Sequence, residues 1–308
     1  MRFFAAKGEL DVQISQDEKG ALIKCHLSLL FVIIIWGSSF ASIKVILPQV
    51  PPNTIALLRF VIASIVLGLF LVITKQPRLQ KHDLPGILFC GFSGIAIFNV
   101  LQNQGLRYAG ATDAAILIAM SPVFIALLSW GILKERISKL QVAGIVIAFA
   151  GSVLVATNGS FNGLGFNKLR IYGDLLVLLS SFAWAIFSIT LKKLLTRYPP
   201  TTIMAYSTFA GTVFLIPFSL LEYPVNLFAV NSAGWLNIIY LGLLASALGN
   251  LIWNSALDKV PAVTAGAYLY LSPVVAAIVA FIFLNEIPGL YTIAGGIIIL
   301  TGTFFASK

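Results

Sequence analysis

The sequence predicts an all-α integral membrane protein, with ten transmembrane helices arranged as two inverted five-helix repeats. Three observations predict it. The 308-residue chain is 59% hydrophobic and 10% charged, whereas soluble domains are about one-quarter charged, so water cannot be the solvent for most of its surface. Apolar stretches close to the ~20 residues that cross a bilayer recur along the whole length. The second half also repeats the polar and helix-breaking residues of the first, in register.

The first 26 residues include "KGELDVQISQDEKG" and are polar and mixed in charge. They read as a disordered cytoplasmic tail, and they do not open like a secretory signal. Spans follow at 27–47, 54–73, 84–104, 112–131, 140–156, 173–192, 202–221, 235–256, 263–284 and 289–306, the fifth and tenth being short. Their connections, such as "PQVPPN" and "TKQPRLQKHD", carry proline, asparagine and charge. No connection is long enough for a soluble domain. The chain thus divides into a tail (1–26), a first repeat (27–156) and a second repeat (173–306).

Loop charge orients the spans, because positive loops stay in the cytoplasm. The tail, the 2–3, 4–5, 6–7 and 8–9 connections and the C-terminus hold 15 Lys and Arg, and the opposite loops hold three: Arg107, Lys168 and Arg170. Both termini are therefore expected in the cytoplasm, with the protein integral to a plasma membrane of the bacterial inner-membrane type. The net charge of +9 is accounted for by this loop bias, so no nucleic-acid partner is expected.

Shifting the sequence by 151 places Gly91, Asn99, Asn103, Ser121, Pro122, Glu135, Gly144 and Gly151 on Gly242, Asn250, Asn254, Ser272, Pro273, Glu286, Gly295 and Gly302. A shift of 148 places Trp36, Lys44, Pro51, Pro52 and Thr54 on Trp184, Lys192, Pro199, Pro200 and Thr202. Apolar helices share Leu and Ile by chance, but not Asn, Pro, Trp and Glu in register. Five spans per copy is odd, so the second copy enters the membrane from the other side. Inverted repeats of this kind bind solute near the midplane and work by alternating access.

The motifs "WGSSFASIK", "LLRFVIAS" and "SPV…KE" leading into "QVAGIVIAFAGSVL", with their duplication, resemble the EamA family of the drug/metabolite transporter superfamily across all ten spans. The resemblance implies a secondary carrier of small metabolites such as amino acids, often an exporter. It also implies a central cavity lined by spans 1, 3, 4, 6, 8 and 9.

Polar and aromatic residues at depth supply the pathway candidates. Asn99 and Asn103 share one face of the third span, and Asn250 and Asn254 share one face of the eighth. They either line the two halves of a pathway or bond between helices. Trp36 and Trp184 lie at mid-depth, Ser39 follows Trp36, and Trp253 adds aromatic surface to the eighth span. Tyr268 and Ser272 share a face of the ninth span. These six either hold an amphipathic or aromatic solute or pack the core. Ser121-Pro122 and Ser272-Pro273 are expected to be paired hinges, because proline removes one helical hydrogen bond and clashes with the carbonyl four residues back. Lys44 and Arg59, near the outer ends of the first two spans, are expected to snorkel. Lys44 has a second reading as a vestibule charge for an anionic group, with Lys192 its inverted counterpart.

The acidic residues fall at span ends, in loops or in the tail, so a proton relay through a buried acid is not expected. Glu135 and Glu286 are expected to hold the loops after the fourth and ninth spans. Cys25, Cys90, His26 and His82 have no metal-ligand spacing, and there is no phosphate-binding glycine loop. No metal, cofactor or enzymatic activity is expected. The glycine stripes of the fifth and tenth spans suit packing within the bundle or a homodimer contact. A channel or a receptor without transport is the competing class.

Overall fold

The computed structural model describes residues 2–108, 117–157, 168–284 and 289–307. Among them the secondary structure is helical throughout. The helices are α1 (Arg2–Ile46), α2 (Pro52–Ile73), α3 (Lys81–Gly105), α4 (Ser121–Leu133), α5 (Lys139–Thr157), α6 (Lys168–Leu195), α7 (Pro200–Leu220), α8 (Ser232–Lys259), α9 (Ala262–Ala267 continuing through Leu284) and α10 (Leu290–Ala306). Among the described residues, seven stretches are long and apolar enough to cross a membrane, and α4, α5 and α10 are shorter apolar helices.

Local chemistry sets the helix starts. Prolines open α2 and α7 at Pro52 and Pro200, where a missing N–H costs nothing. The Asn231 side chain accepts from the Gly234 N–H at the start of α8. Glu222 accepts from the Asn53 and Thr54 N–H groups at 3.1 and 2.8 Å, capping α2 from across the chain. The expected disorder of the tail is corrected here, because α1 begins at Arg2 and runs unbroken to Ile46. The tail carries no proline, and the apolar stretch behind it supplies the helix nucleus that such a segment lacks alone.

Two features were not visible in the sequence. The helical ladder of α3 widens to a π-helix over Gly91–Ile97, and that of α8 widens over Leu241–Leu248. A shift of 151 superposes the two segments. Just before Ser121, helix gives way to a turn at 119–120, and just before Ser272 it tightens to a 3₁₀ turn over Tyr268–Leu271. These breaks also correspond under the same shift.

The main contacts join elements of the two halves: α2 with α7 and α8, α3 with α6 and α7, α1 with α8 and α9, α4 with α6, and α5 with α10. The halves therefore interlock. Ser64 of α2 meets its own counterpart, Thr212 of α7, at 2.9 Å. The glycine stripes face each other within the chain. A Cβ on Gly144 would overlap Ala306 backbone, and one on Gly151 would lie 2.9 Å from the Gly295 carbonyl. Close approach of α5 and α10 thus uses the stripe that had also suited a dimer.

Candidate functional site

The three candidate tryptophans converge where α1, α3, α6 and α8 meet. The indole of Trp36 lies 5.5 Å from that of Trp184, centroid to centroid, and 5.4 Å from that of Trp253. Trp184 also packs on Phe98 at 5.1 Å and Phe187 at 5.2 Å. Trp36 is half-buried, whereas Trp184 and Trp253 are buried. Only Trp36 has its indole N–H satisfied, by the Ala245 carbonyl at 3.0 Å in the π-segment of α8. The indole nitrogens of Trp184 and Trp253 are enclosed without an acceptor among the described residues.

Two of the asparagines bond within their own helices and two bond to neighbouring helices. Asn99 and Asn250 donate to the carbonyls four residues back, Ile95 at 2.7 Å and Ser246 at 2.8 Å. Both acceptors lie in the π-segments. Asn103 donates to Asn53 of α2 at 3.2 Å, and Asn254 donates to the Met204 sulfur of α7 at 3.1 Å. Ser39 is buried and donates to the Trp36 carbonyl. Tyr268 is buried, its hydroxyl 2.7 Å from His26 Nδ1. Ser272 and Asn103 are half-buried.

At the breaks, Ser121 and Pro122 are buried at the start of the second part of α4. The Leu117 carbonyl, left outside the regular ladder, accepts from Ser181 of α6 at 2.8 Å and from the Met120 N–H at 3.2 Å. A neighbouring hydroxyl thus supplies the partner that an apolar medium withholds. In α9 the helix restarts at Ser272, and the Pro273 side chain lies outside the described residues.

At the end of the bundle that loop charge assigns to the cytoplasm, one polar cluster joins four helices. Glu135, after α4, accepts from the Ala262 N–H of α9 at 3.0 Å, from Ser129, and from Lys192 of α6 at 3.5 Å. Lys192 also donates to the carbonyls of Leu257 and Val260, where α8 ends. A carboxylate at a helix start and a cation at a helix end both suit the helix dipole. Lys192 is thus a fastener among α4, α6, α8 and α9 and not an open vestibule charge. Its counterparts, the Lys44 side chain and Glu286, lie outside the described residues.

Arg59 corrects a second expectation. It does not snorkel: its Nε donates to Ser246 Oγ of α8 at 2.7 Å, and its guanidinium carbon lies 5.0 Å from the Phe60 ring centroid. Periodicity does not settle its face, because buried Ala56 and Ala63 and exposed Val66 and Phe70 all lie within about 60° of Arg59 around α2. Elsewhere, an apolar groove between α4 and α5, lined by residues such as Met120, Trp130 and Phe149, holds none of the pathway residues.

A model of the EamA-like transporter family matches residues 23–157 and again 171–308. An uncharacterized transporter of Archaeoglobus fulgidus is 33% identical, over 92% of this chain and 97% of the relative. A protein of Streptantibioticus cattleyicolor named "Probable terminal-alkyne amino-acid exporter" is 32% identical, over 93% of this chain and 94% of the relative. A solved crystal structure superposes with a TM-score of 0.79 at 19% identity, covering 92% of this chain and 96% of that one, which establishes the likeness of fold. The chain belongs to the EamA-like transporter family, an integral membrane family of transporters and not of enzymes.

Proposed function

We propose that this chain is a secondary transporter that exports small organic metabolites, amino acids among them, by alternating access between two inverted five-helix halves. The observation that carries the reading is the paired helix break: α4 before Ser121 and α9 before Ser272 are interrupted at positions one repeat apart. A helix with a built-in break can bend without losing further hydrogen bonds. Ser121, Pro122 and Pro273 act as the hinges. Trp36, Trp184 and Trp253, with Ser39, Asn99, Asn103, Asn250, Asn254, Tyr268 and Ser272, line the pathway as it opens. The Glu135–Lys192 cluster holds the cytoplasmic end closed, both termini being cytoplasmic in a plasma membrane. The Streptantibioticus relative, named as an amino-acid exporter, supports both the cargo class and the direction.

Three acidic groups fit a carrier without a proton relay: Asp83, Glu135 and Glu222 each pair with a basic residue at an end of the bundle. The protein in proteoliposomes is therefore expected to show saturable amino-acid flux with counterflow, and the flux should change little when a pH gradient is imposed. Unitary conductance steps, or solute flux that never saturates, would reject a carrier in favour of a channel.

A further inference from the structure

Arg59 enters α8 near mid-membrane. Its partner, Ser246, stands midway along Ser232–Lys259, so the guanidinium lies far from either headgroup layer. The residue is half-buried, and around α2 it lies beside both the buried Ala56 and Ala63 and the exposed Val66 and Phe70. Phe60 supports the guanidinium near one face, and Ser246 anchors Nε. Among the described residues no carboxylate pairs with Arg59, and the two terminal nitrogens have no acceptor.

An ionised group at this depth is expensive unless something compensates it. Tying α2 to α8 requires only a neutral donor to Ser246, for which Gln or Ser would serve. A fixed guanidinium with its terminal nitrogens open presents a fork that matches a planar carboxylate through two parallel hydrogen bonds. No second cation is bonded to this cluster among the described residues, so the charge on offer matches a monoanion better than a phosphate dianion. The preceding residue, Ala245, is the one whose carbonyl holds the Trp36 indole. A solute bound at Arg59 would thus have an aromatic surface beside its charged end.

We propose that Arg59 binds the carboxylate of the transported solute at mid-membrane, beside Ser246 and Trp36, and so selects small organic acids, zwitterionic amino acids included. The proposal rests on the transport reading and deepens it by naming the charge on the cargo. Arg59 is the specificity-determining residue, and Ser246 positions it.

Purified protein titrated with phenylacetate, phenylacetamide and phenyl phosphate, with thermal unfolding as readout, tests it. Phenylacetate should raise the midpoint saturably and the amide should not. Arg59→Gln should weaken the apparent affinity for phenylacetate roughly 10- to 100-fold, the range expected for a charge-assisted pair. Arg59→Lys, which keeps the charge without the fork, should lose less. If Arg59→Gln does not fold, Ser246→Ala serves in its place: it frees Nε and should weaken phenylacetate while sparing the fold. Equal stabilisation of wild type and the variant that folds, no stabilisation of wild type by phenylacetate, or stronger stabilisation by phenyl phosphate would each overturn the proposal. Flux assays separate the two readings. Wild-type vesicles that move no solute, despite Arg59-dependent binding, would sink transport alone. Vesicles in which Arg59→Gln transports phenylacetate as wild type does would sink the carboxylate site alone.

Discussion

The two halves of the chain share a scaffold and differ in chemistry. Shifted onto each other, they agree in the π-helical segments of α3 and α8, in the breaks of α4 and α9, and in the back-bonding of Asn99 and Asn250. They disagree around the tryptophans. Trp36 bonds to Ala245 and packs above Gly249, where a Cβ would lie 2.9 Å from its indole nitrogen. Its counterpart Trp184 packs on Phe98, which stands where Gly249 does in the other copy, and its N–H has no acceptor among the described residues. Arg59 bonds Ser246, whereas their counterparts are Ser207, with an enclosed hydroxyl that has no partner among the described residues, and Ile95. Symmetry is kept where helices must pack and bend, and it is lost where a solute would be recognised. Alternating access needs two equivalent ways of bending, but only one set of contacts to the cargo.

The scaffold is where substitutions should do most damage, and equally in both halves. Gly144→Val and Gly302→Val each drive a side chain into the backbone of the facing helix. Overpacking costs about 1–3 kcal/mol and more where backbone must move. Both variants should lose most of the monodisperse protein on size-exclusion chromatography, while Gly131→Val, which meets open space, should not. A clear difference between Gly144→Val and Gly302→Val would break the equivalence of the halves.

The next effect probes the closed end. Lys192→Met removes the cation from the end of α8 and from Glu135, with roughly 1.5–3 kcal/mol lost for hydrogen bonds to a charged group. Cys25 is buried beside this cluster, its sulfur 3.9 Å from the Ala256 carbonyl, and Cys90 is buried elsewhere. Maleimide should therefore label Cys25 about tenfold faster or more in Lys192→Met, with Cys90 unchanged. Labelling of both cysteines together would point to general unfolding, and labelling of neither would show that Lys192 does not hold this end shut. A smaller effect belongs to the hinges. Pro122→Ala and Pro273→Ala should each slow solute exchange by a similar factor, about fivefold if each restores a hydrogen bond of ~1 kcal/mol that bending must then break. Unchanged exchange in both would remove the hinge role.

The sequence made the shared scaffold legible because proline, asparagine and glycine carry their backbone consequences wherever they stand. Ser121-Pro122 and Ser272-Pro273 announced a break, and in each helix the regular ladder is interrupted in the turn before the serine. The π-helical segments were not legible, since one extra residue per turn leaves hydropathy unchanged. Lys192 was misread because its partners, Glu135, Leu257 and Val260, are distant in sequence. Arg59 was misread for the same reason: its position near a span end suggested snorkelling, and its partner Ser246 is distant in sequence.

The smallest expected effect is the sharpest test of asymmetry. Trp36→Phe removes an indole N–H that bonds Ala245 and leaves that carbonyl enclosed, which should cost about 1 kcal/mol beyond the change in ring size. Trp184→Phe removes an N–H that already has no acceptor among the described residues, so it sheds an uncompensated polar group and should be neutral or slightly stabilising. Both side chains sit in the same aromatic cluster and lose the same atoms, so ring packing largely cancels in the difference between the two variants. Thermal unfolding in one detergent should therefore rank Trp184→Phe above Trp36→Phe. Equal midpoints would mean that the Ala245 bond contributes nothing, and that the tryptophans, unlike Arg59 and Ser207, remain interchangeable parts of the shared scaffold.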